Sequence, residues 1–340
     1  MKAWMLNNFG IEHLQMQEVP VPTPGPHQIL VQVKAVSLNY RDKAIVEKKY
    51  LPHLMPASFV VVSDAVGEVM EMGSGVTRFK KGDRVIGCLY QNWIDGKVQP
   101  HDVSLHALGG PLNGALAGYV LLEEAGAVLA PASLTDEEAA TLPIAALTAW
   151  FALFDHGNLQ PGQTVVVQGT GGVSLFAIQF AKAAGATVIA LSGSDEKLQT
   201  SVKLGADYGI NYRLKPNWQH EVLAITNGRG ADQILDVAGG TSVNKSIEAA
   251  APGGQVAVIG FIEDVKAEIN LLPAMIFNAV KVQGILVGNR QAFTRMNAFI
   301  EKHTIKPVID TVYAFEDAKK AYQHLDRGAL GKIVIKGPVL

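Results

Sequence analysis

Residues 164–185 read TVVVQGTGGVSLFAIQFAKAAG, from Thr164 to Gly185. The first five, Thr164-Val165-Val166-Val167-Gln168, form a β-branched run too short for a helix. Gly169, Gly171 and Gly172 follow as a tight cluster, and then Val173, Phe176, Ala177, Phe180 and Ala181 recur at helical spacing. The periodicity predicts a buried strand, a turn and a helix. Such a turn can bind phosphate: glycines let a pyrophosphate approach the backbone, while free N–H groups and the helix dipole face the anion. The pattern asks for Gly-x-Gly-x-x-Gly, and Ser174 stands in the third place. That position needs a small residue for close helix–strand packing, so serine is a mild departure.

A second β-rich run, Thr187 to Leu191, follows the helix and completes a βαβ unit. An acidic residue at the end of that strand would hold the adenine ribose 2′-hydroxyl of NAD(H). The chain instead has Ser192-Gly193-Ser194, with Asp195 and Glu196 at the next helix start and Lys197 after them. Small hydroxyls and a lysine accommodate an extra phosphate that a carboxylate would repel. Asp195 and Glu196 have a separate role, favouring the helix N-terminus. NADP(H) is therefore the expected cofactor, with NAD(H) the alternative.

With 340 residues, the chain has room for two domains, each with its own core. Hydrophobic content of 48%, charged content of 18% and a net charge of −2 describe a globular chain. They give no basic run for nucleic acid or an anionic membrane. The apolar stretch Thr141 to Phe154 is too short to span a bilayer and contains Pro143. The opening MKAWMLNNFG lacks a signal peptide's apolar core, and the single cysteine, Cys88, cannot form an internal disulfide. A reducing cytoplasm is the expected location.

Up to about Glu124 the pattern is β-rich and turn-rich. Strands are expected after the turn PVPTPGP, at Gln28 to Val36, and again at Ala65 to Met72 and Arg84 to Leu89. Tyr90 to Gly118 is a long polar, glycine-rich excursion of the kind that often carries function. Beyond Thr164, strands at 208–212, 233–237, 255–260 and 281–287 alternate with helices at 195–205, 217–227, 241–251 and 291–303. Six strands with intervening helices predict a doubly wound parallel sheet. The closing segments 308–313, 316–325 and 332–336 look like the opening region again, so the chain is expected to return to its first domain.

Several pieces spread over the chain carry a resemblance: Ser37-Leu-Asn-Tyr-Arg-Asp42, Gly67-Glu-Val, Gly73 to Val85, Leu142 to Trp150, Gly169-Thr-Gly-Gly-Val and Gly331-Lys-Ile-Val. With them the sequence resembles the medium-chain dehydrogenase/reductases, in their zinc-independent quinone oxidoreductase branch. The resemblance implies an α/β chain with a GroES-like, partly closed β-barrel catalytic domain (1–125 and 290–340). It also implies a Rossmann NADP(H)-binding domain (126–289) and a homodimer or tetramer, of which the homodimer is expected. Zinc alcohol dehydrogenases of this type place Cys, His and Cys where Asn39, Ser63 and Ile144 stand, with an acid at Asp64. No metal is therefore expected. His101, Asp102 and His106 in the long loop read as solvated residues.

Without a Lewis acid, hydrogen-bond donors must stabilise the oxygen that gains charge as hydride arrives. By resemblance Asn39, Tyr40, Arg41 and Asp42 lie beside the nicotinamide. Tyr40 is the expected proton donor, Asn39 and Arg41 polarise or orient, and Asp42 fixes their geometry. The alternative is a structural pairing of Arg41 with Asp42, and a passive Tyr40. Thr148 would approach the nicotinamide, and Gly169, Gly171, Gly172 and Val173 would carry the pyrophosphate. Ser192, Ser194, Lys197 and Tyr212 would surround the 2′-phosphate. Ala238, Gly239, Gly260, Phe261, Gly288 and Asn289 stand at strand ends where such sheets bind ligands. The expected activity is NADPH-dependent hydride transfer to a quinone or α,β-unsaturated carbonyl. Alcohol/aldehyde interconversion and a catalytically idle NADPH-binding sensor are the alternatives.

Overall fold

The computed structural model describes all residues except 99–103, 261–263, 265, 267, 271 and 340. The chain packs as two compact units, Met1–Leu147 with Gly288–Leu340, and Thr148–Val287. The sequence places the domain change at 126. By these contacts 126–147 groups with the first unit, where Ala127–Leu129 pairs with Arg84–Gly87 and the Ile144 N–H reaches Asp64.

The second unit is built on a six-stranded sheet. Its spatial order is Tyr208–Asn211, Thr187–Ser192, Thr164–Gln168, Ala231–Asp236, Ala250–Val258 and Lys281–Gly284. Every neighbouring pair is parallel. In chain order this is 3-2-1-4-5-6, the doubly wound Rossmann arrangement, whose ligand crevice opens where the order reverses. Val165, Val166 and Val167 are all fully buried, which is why the first strand shows no alternation: helices cover both faces. Helix Gly172–Ala183 buries Phe176, Ala177, Phe180 and Ala181 of the expected stripe and Leu175 and Ile178 besides, while Val173 is half-buried.

Three details differ from expectation. Ala250–Val258 begins five residues early and carries Pro252 and Gly253, with a register shift opposite Ala231/Gln233 that accommodates them. Lys281–Gly284 stops short of 287; the Ile285 N–H still reaches the Val258 carbonyl, and the pairing ends there. A helix at Leu272–Asn278 was not foreseen.

The first unit is GroES-like. A seven-stranded sheet, with Tyr119–Glu123 on a side branch, centres on the long strand Gln28–Leu38. That strand pairs antiparallel with Asp64–Met72, Tyr119–Glu123 and, at 35–38, with Lys332–Lys336. Shifts near Leu30/Val31 and Val33/Ala35 let it bend toward closure. The returning segment thus supplies Lys332–Lys336, beside Ile309–Tyr313, to the first unit's sheet. No helix among the described residues is long and apolar enough to cross a membrane.

Candidate functional site

In the second unit the glycine turn has the geometry that a dinucleotide requires. Gly169 has φ +78, a left-handed conformation costly for other residues, and its N–H bonds the Leu191 carbonyl at 2.7 Å. Gly171 caps helix Gly172–Ala183 with no side-chain cap, and a β-carbon there would meet nothing within 4 Å. The space beside the start of the helix is therefore open at Gly171, and Gly172 and Val173 are half-buried. Ser174 does not obstruct the cradle: it is buried and donates to the Gln168 carbonyl at 2.7 Å, closing the turn. A pyrophosphate fits this cradle.

At the end of Thr187–Ser192 the structure gathers Ser192, Ser194, Lys197 and Tyr212. Ser192 Oγ accepts from the Ser194 N–H at 3.3 Å, and Ser194 Oγ caps the next helix by accepting from the Lys197 N–H at 3.4 Å. Both hydroxyl protons stay available to donate. Tyr212 and Arg213, the latter not singled out by the sequence, lie against Gly193. Ala238 and Gly239 form a turn whose N–H groups bond Asp236 Oδ1 at 3.1 and 2.9 Å. Asp236 is fully buried, and its other oxygen is held by Gln168 and Ser246, a network sequence reading passed over. A cavity of about 420 Å³ lies beside that turn, lined among others by Gly239, Val258, Gly260, Asp264 and Gly284. Phe261 lies outside the described residues. Thr148 is buried in the turn Leu147–Trp150.

Gly288 and Asn289 belong by contact to the first unit. Asn289 Oδ1 caps helix Arg290–His303 by accepting from the Ala292 N–H at 2.8 Å.

The first unit brings Asn39, Tyr40, Arg41 and Asp42 to the start of helix Tyr40–Val46, directly after the bent central strand. Asn39 is the helix N-cap, and its N–H donates to Asp42 Oδ2 at 2.7 Å. Its side chain is buried and fully engaged. Lys332 Nζ donates to Asn39 Oδ1 at 2.5 Å and to the Leu38 carbonyl at 2.7 Å, and the Asn39 amide also bonds Asp64. Lys332 is only 4% exposed, and it is the functional candidate the sequence concealed. Its signal was the Gly331-Lys-Ile-Val piece, read only as a family mark.

Burial pushes the Asp42 carboxyl up to about 6, with Arg41 and Lys332 opposing and Asp64 adding to the rise. Burial likewise raises Asp64 and lowers Lys332, each partly offset by the charge of the other. Arg41 turns away from this group. Its Nη1 donates to the Leu108 carbonyl at 3.0 Å, its Nη2 to the Gly110 carbonyl, and its guanidinium lies 5.2 Å over the Tyr50 ring. It therefore pins the long loop, which also pairs through Tyr90 and Ala107. Tyr50 in turn hydrogen-bonds the buried Tyr90. Tyr40, at the first helical position, is 40% exposed. His106 bonds Asn92, while His101 and Asp102 lie outside the described residues.

The residues at the zinc-ligand positions do not suit that ion. Ile144 has no side-chain ligand and its backbone N–H is given to Asp64, and Ser63 Oγ donates to Asp64 at 2.8 Å. The Asn39 oxygen already takes an ammonium, which would repel a second cation.

Comparison with known proteins gives the same architecture. Residues 25–132 match the alcohol dehydrogenase GroES-like domain, and residues 172–302 match the zinc-binding dehydrogenase family. A zinc-type alcohol dehydrogenase-like protein of Schizosaccharomyces pombe is 41% identical over 337 residues, covering 96% of both chains. A crystal structure from Sinorhizobium meliloti 1021, assigned by name to the alcohol dehydrogenases, superposes with a TM-score of 0.92 at 44% identity, over 98% of each chain. A quinone oxidoreductase of Pongo abelii is 26% identical, over 98% of this chain and 97% of its own.

Proposed function

The chain belongs to the medium-chain dehydrogenase/reductase family, and on that premise we propose that it is an NADPH-dependent, zinc-independent reductase of quinones or α,β-unsaturated carbonyls. The observation that carries the reading is the Lys332 ammonium on the Asn39 amide oxygen. It puts an internal cation where a metal-dependent relative of this type has its metal-ligand cysteine. A carbonyl that depends on a Lewis acid has no evident activator here, whereas electron-poor conjugated acceptors need less help.

The cofactor supplies a hydride when bound. The chain's own part is to hold and orient: the Gly169–Val173 turn for the pyrophosphate, Ser192, Ser194, Lys197 and Tyr212 for the 2′-phosphate, and Thr148, Ala238, Gly239, Gly260, Gly288 and Asn289 toward the nicotinamide half. Tyr40, half-exposed on a helix fixed by the Asn39–Asp42 cap, donates a proton to the substrate oxygen and recovers one from water. Asn39 serves this step by fixing the helix, and Arg41 by holding the loop at Leu108 and Gly110, since both side chains are otherwise engaged.

The names of the S. pombe and S. meliloti relatives favour a second reading, alcohol/aldehyde interconversion. NADPH oxidation measured with a quinone, an enone and a simple aldehyde, each with and without a chelator, separates the two. Turnover of quinone or enone unaffected by chelator, with no stoichiometric zinc on elemental analysis, is expected. One tightly bound zinc per chain and chelator-sensitive aldehyde reduction would replace this reading with the second. Binding of NADPH without turnover of any acceptor would leave an idle cofactor-binding protein.

A further inference from the structure

The geometry points to Arg213 as a second cation of the 2′-phosphate pocket, folded together with Tyr212 over Gly193; this rests on the NADPH reading above. Gly193 follows directly on strand Thr187–Ser192, where the adenine ribose is expected. A β-carbon built on it would stand 2.8 Å from Arg213 Nε and 2.9 Å from Tyr212 Oη. Gly193 is not among the residues with positive φ, so the backbone does not demand glycine there. A side chain at 193 would instead push aside the ends of two side chains that lie on the peptide.

The charges around this spot are arranged for an anion. Among the described residues Arg213 and Lys197 have no acidic partner, although both stand near the start of helix Asp195–Lys203, whose first turn carries Asp195 and Glu196. Asp195 is already satisfied, accepting from Asn211 Nδ2 at 2.7 Å. Asn211 Oδ1 in turn accepts the Arg213 N–H at 3.0 Å, which fixes the turn presenting the guanidinium. Strand Tyr208–Asn211 pairs in parallel with Thr187–Ser192, matching Asn211 with Ser192, so Tyr212 and Arg213 emerge level with Gly193. A phosphate there would find three hydroxyl donors, an ammonium and a planar guanidinium able to bond two of its oxygens at once. An unmodified ribose hydroxyl would use almost none of this charge.

The test is a fluorescence titration of NADPH and NADH into the full-length chain and its variants. Arg213→Gln keeps a polar side chain and removes the charge. NADPH affinity should fall about tenfold, the loss of one charged hydrogen bond, while NADH affinity stays within about twofold. Gly193→Ala adds one methyl group that displaces Tyr212 and Arg213, and it should lower NADPH affinity in the same selective way. The wild-type preference for NADPH should also narrow with added salt, and less so in Arg213→Gln. If Arg213→Gln keeps the wild-type preference while Lys197→Ala loses it, Arg213 has no part in the pocket and the NADPH reading stands. If the wild-type chain itself binds NADH more tightly, the NADPH reading falls and this inference falls with it.

Discussion

Asp42 is the residue at which structure and chemistry pull hardest against each other. Its carboxylate is needed as the reciprocal partner of the Asn39 N–H, yet burial pushes its pKa up to about 6, and Oδ1 has no hydrogen-bond partner among the described residues. Because the folded value lies above the ordinary 3.8, the protonated form is the one that folding favours. That contribution is complete below about pH 3.8 and is lost as pH rises through about 6. Asp42→Asn keeps an oxygen for the cap and has no proton to lose. Relative to wild type it should gain up to about 3 kcal/mol between pH 4 and pH 7, read from denaturant midpoints. A difference that stays constant across that range would mean that Asp42 titrates in the folded chain as it does in the unfolded one.

Tyr40, two positions before Asp42 on the same helix, tests the chemistry. Adding hydride to an enone leaves an enolate whose oxygen needs a donor, whereas a reduced quinone oxygen is stable enough to take its proton from water. Tyr40→Phe should therefore cost enone reduction roughly a hundredfold or more in kcat/KM, since one donor at a developing oxyanion is worth roughly 2.7–4 kcal/mol. Quinone reduction and NADPH affinity should barely change. Equal, small losses for both substrate classes would leave Tyr40 as a wall of the pocket.

Among the elements, legibility followed the amount of local signal. The strand–turn–helix at 164–183 could be read almost to the residue, because β-branched run, glycine turn and apolar stripe agree with one another. The returning strand Lys332–Lys336 was also visible, since its apolar residues match the opening region's pattern. Helix Leu272–Asn278 was missed because its Leu272, Ile276 and Phe277 are exposed, so no buried stripe marks it. The early part of Ala250–Val258 was hidden by Pro252-Gly253-Gly254, which usually reads as a turn. At the site the glycine cradle was legible because backbone chemistry needs particular residues at fixed spacing. The Lys332–Asn39–Asp64 group was not, because it joins positions almost three hundred residues apart and only folding brings them together.

At the scale of the whole molecule, the feature that asks for a partner is the sheet's last strand. Among the described residues Lys281–Gly284 pairs only with Ala250–Val258, so no described strand takes up its outer row of N–H and C=O groups. Just before it in the chain, helix Leu272–Asn278 exposes Ile276 at 73% and Phe277 at 86%. An open edge next to exposed apolar side chains is a combination that isolated chains rarely keep. A second copy related by a two-fold axis would satisfy both at once, joining the two edge strands and covering the helices, because such an interface uses the same surface on each side. We therefore expect a homodimer of twice the 36.3 kDa chain mass in sedimentation equilibrium at micromolar concentration. Placing charge on the exposed helix with Ile276→Glu and Phe277→Glu together should convert it to monomer, and retained NADPH binding would show that the variant is folded. A wild-type chain that sediments as a monomer would remove the dimer from consideration. A variant that stays dimeric would move the interface to another surface.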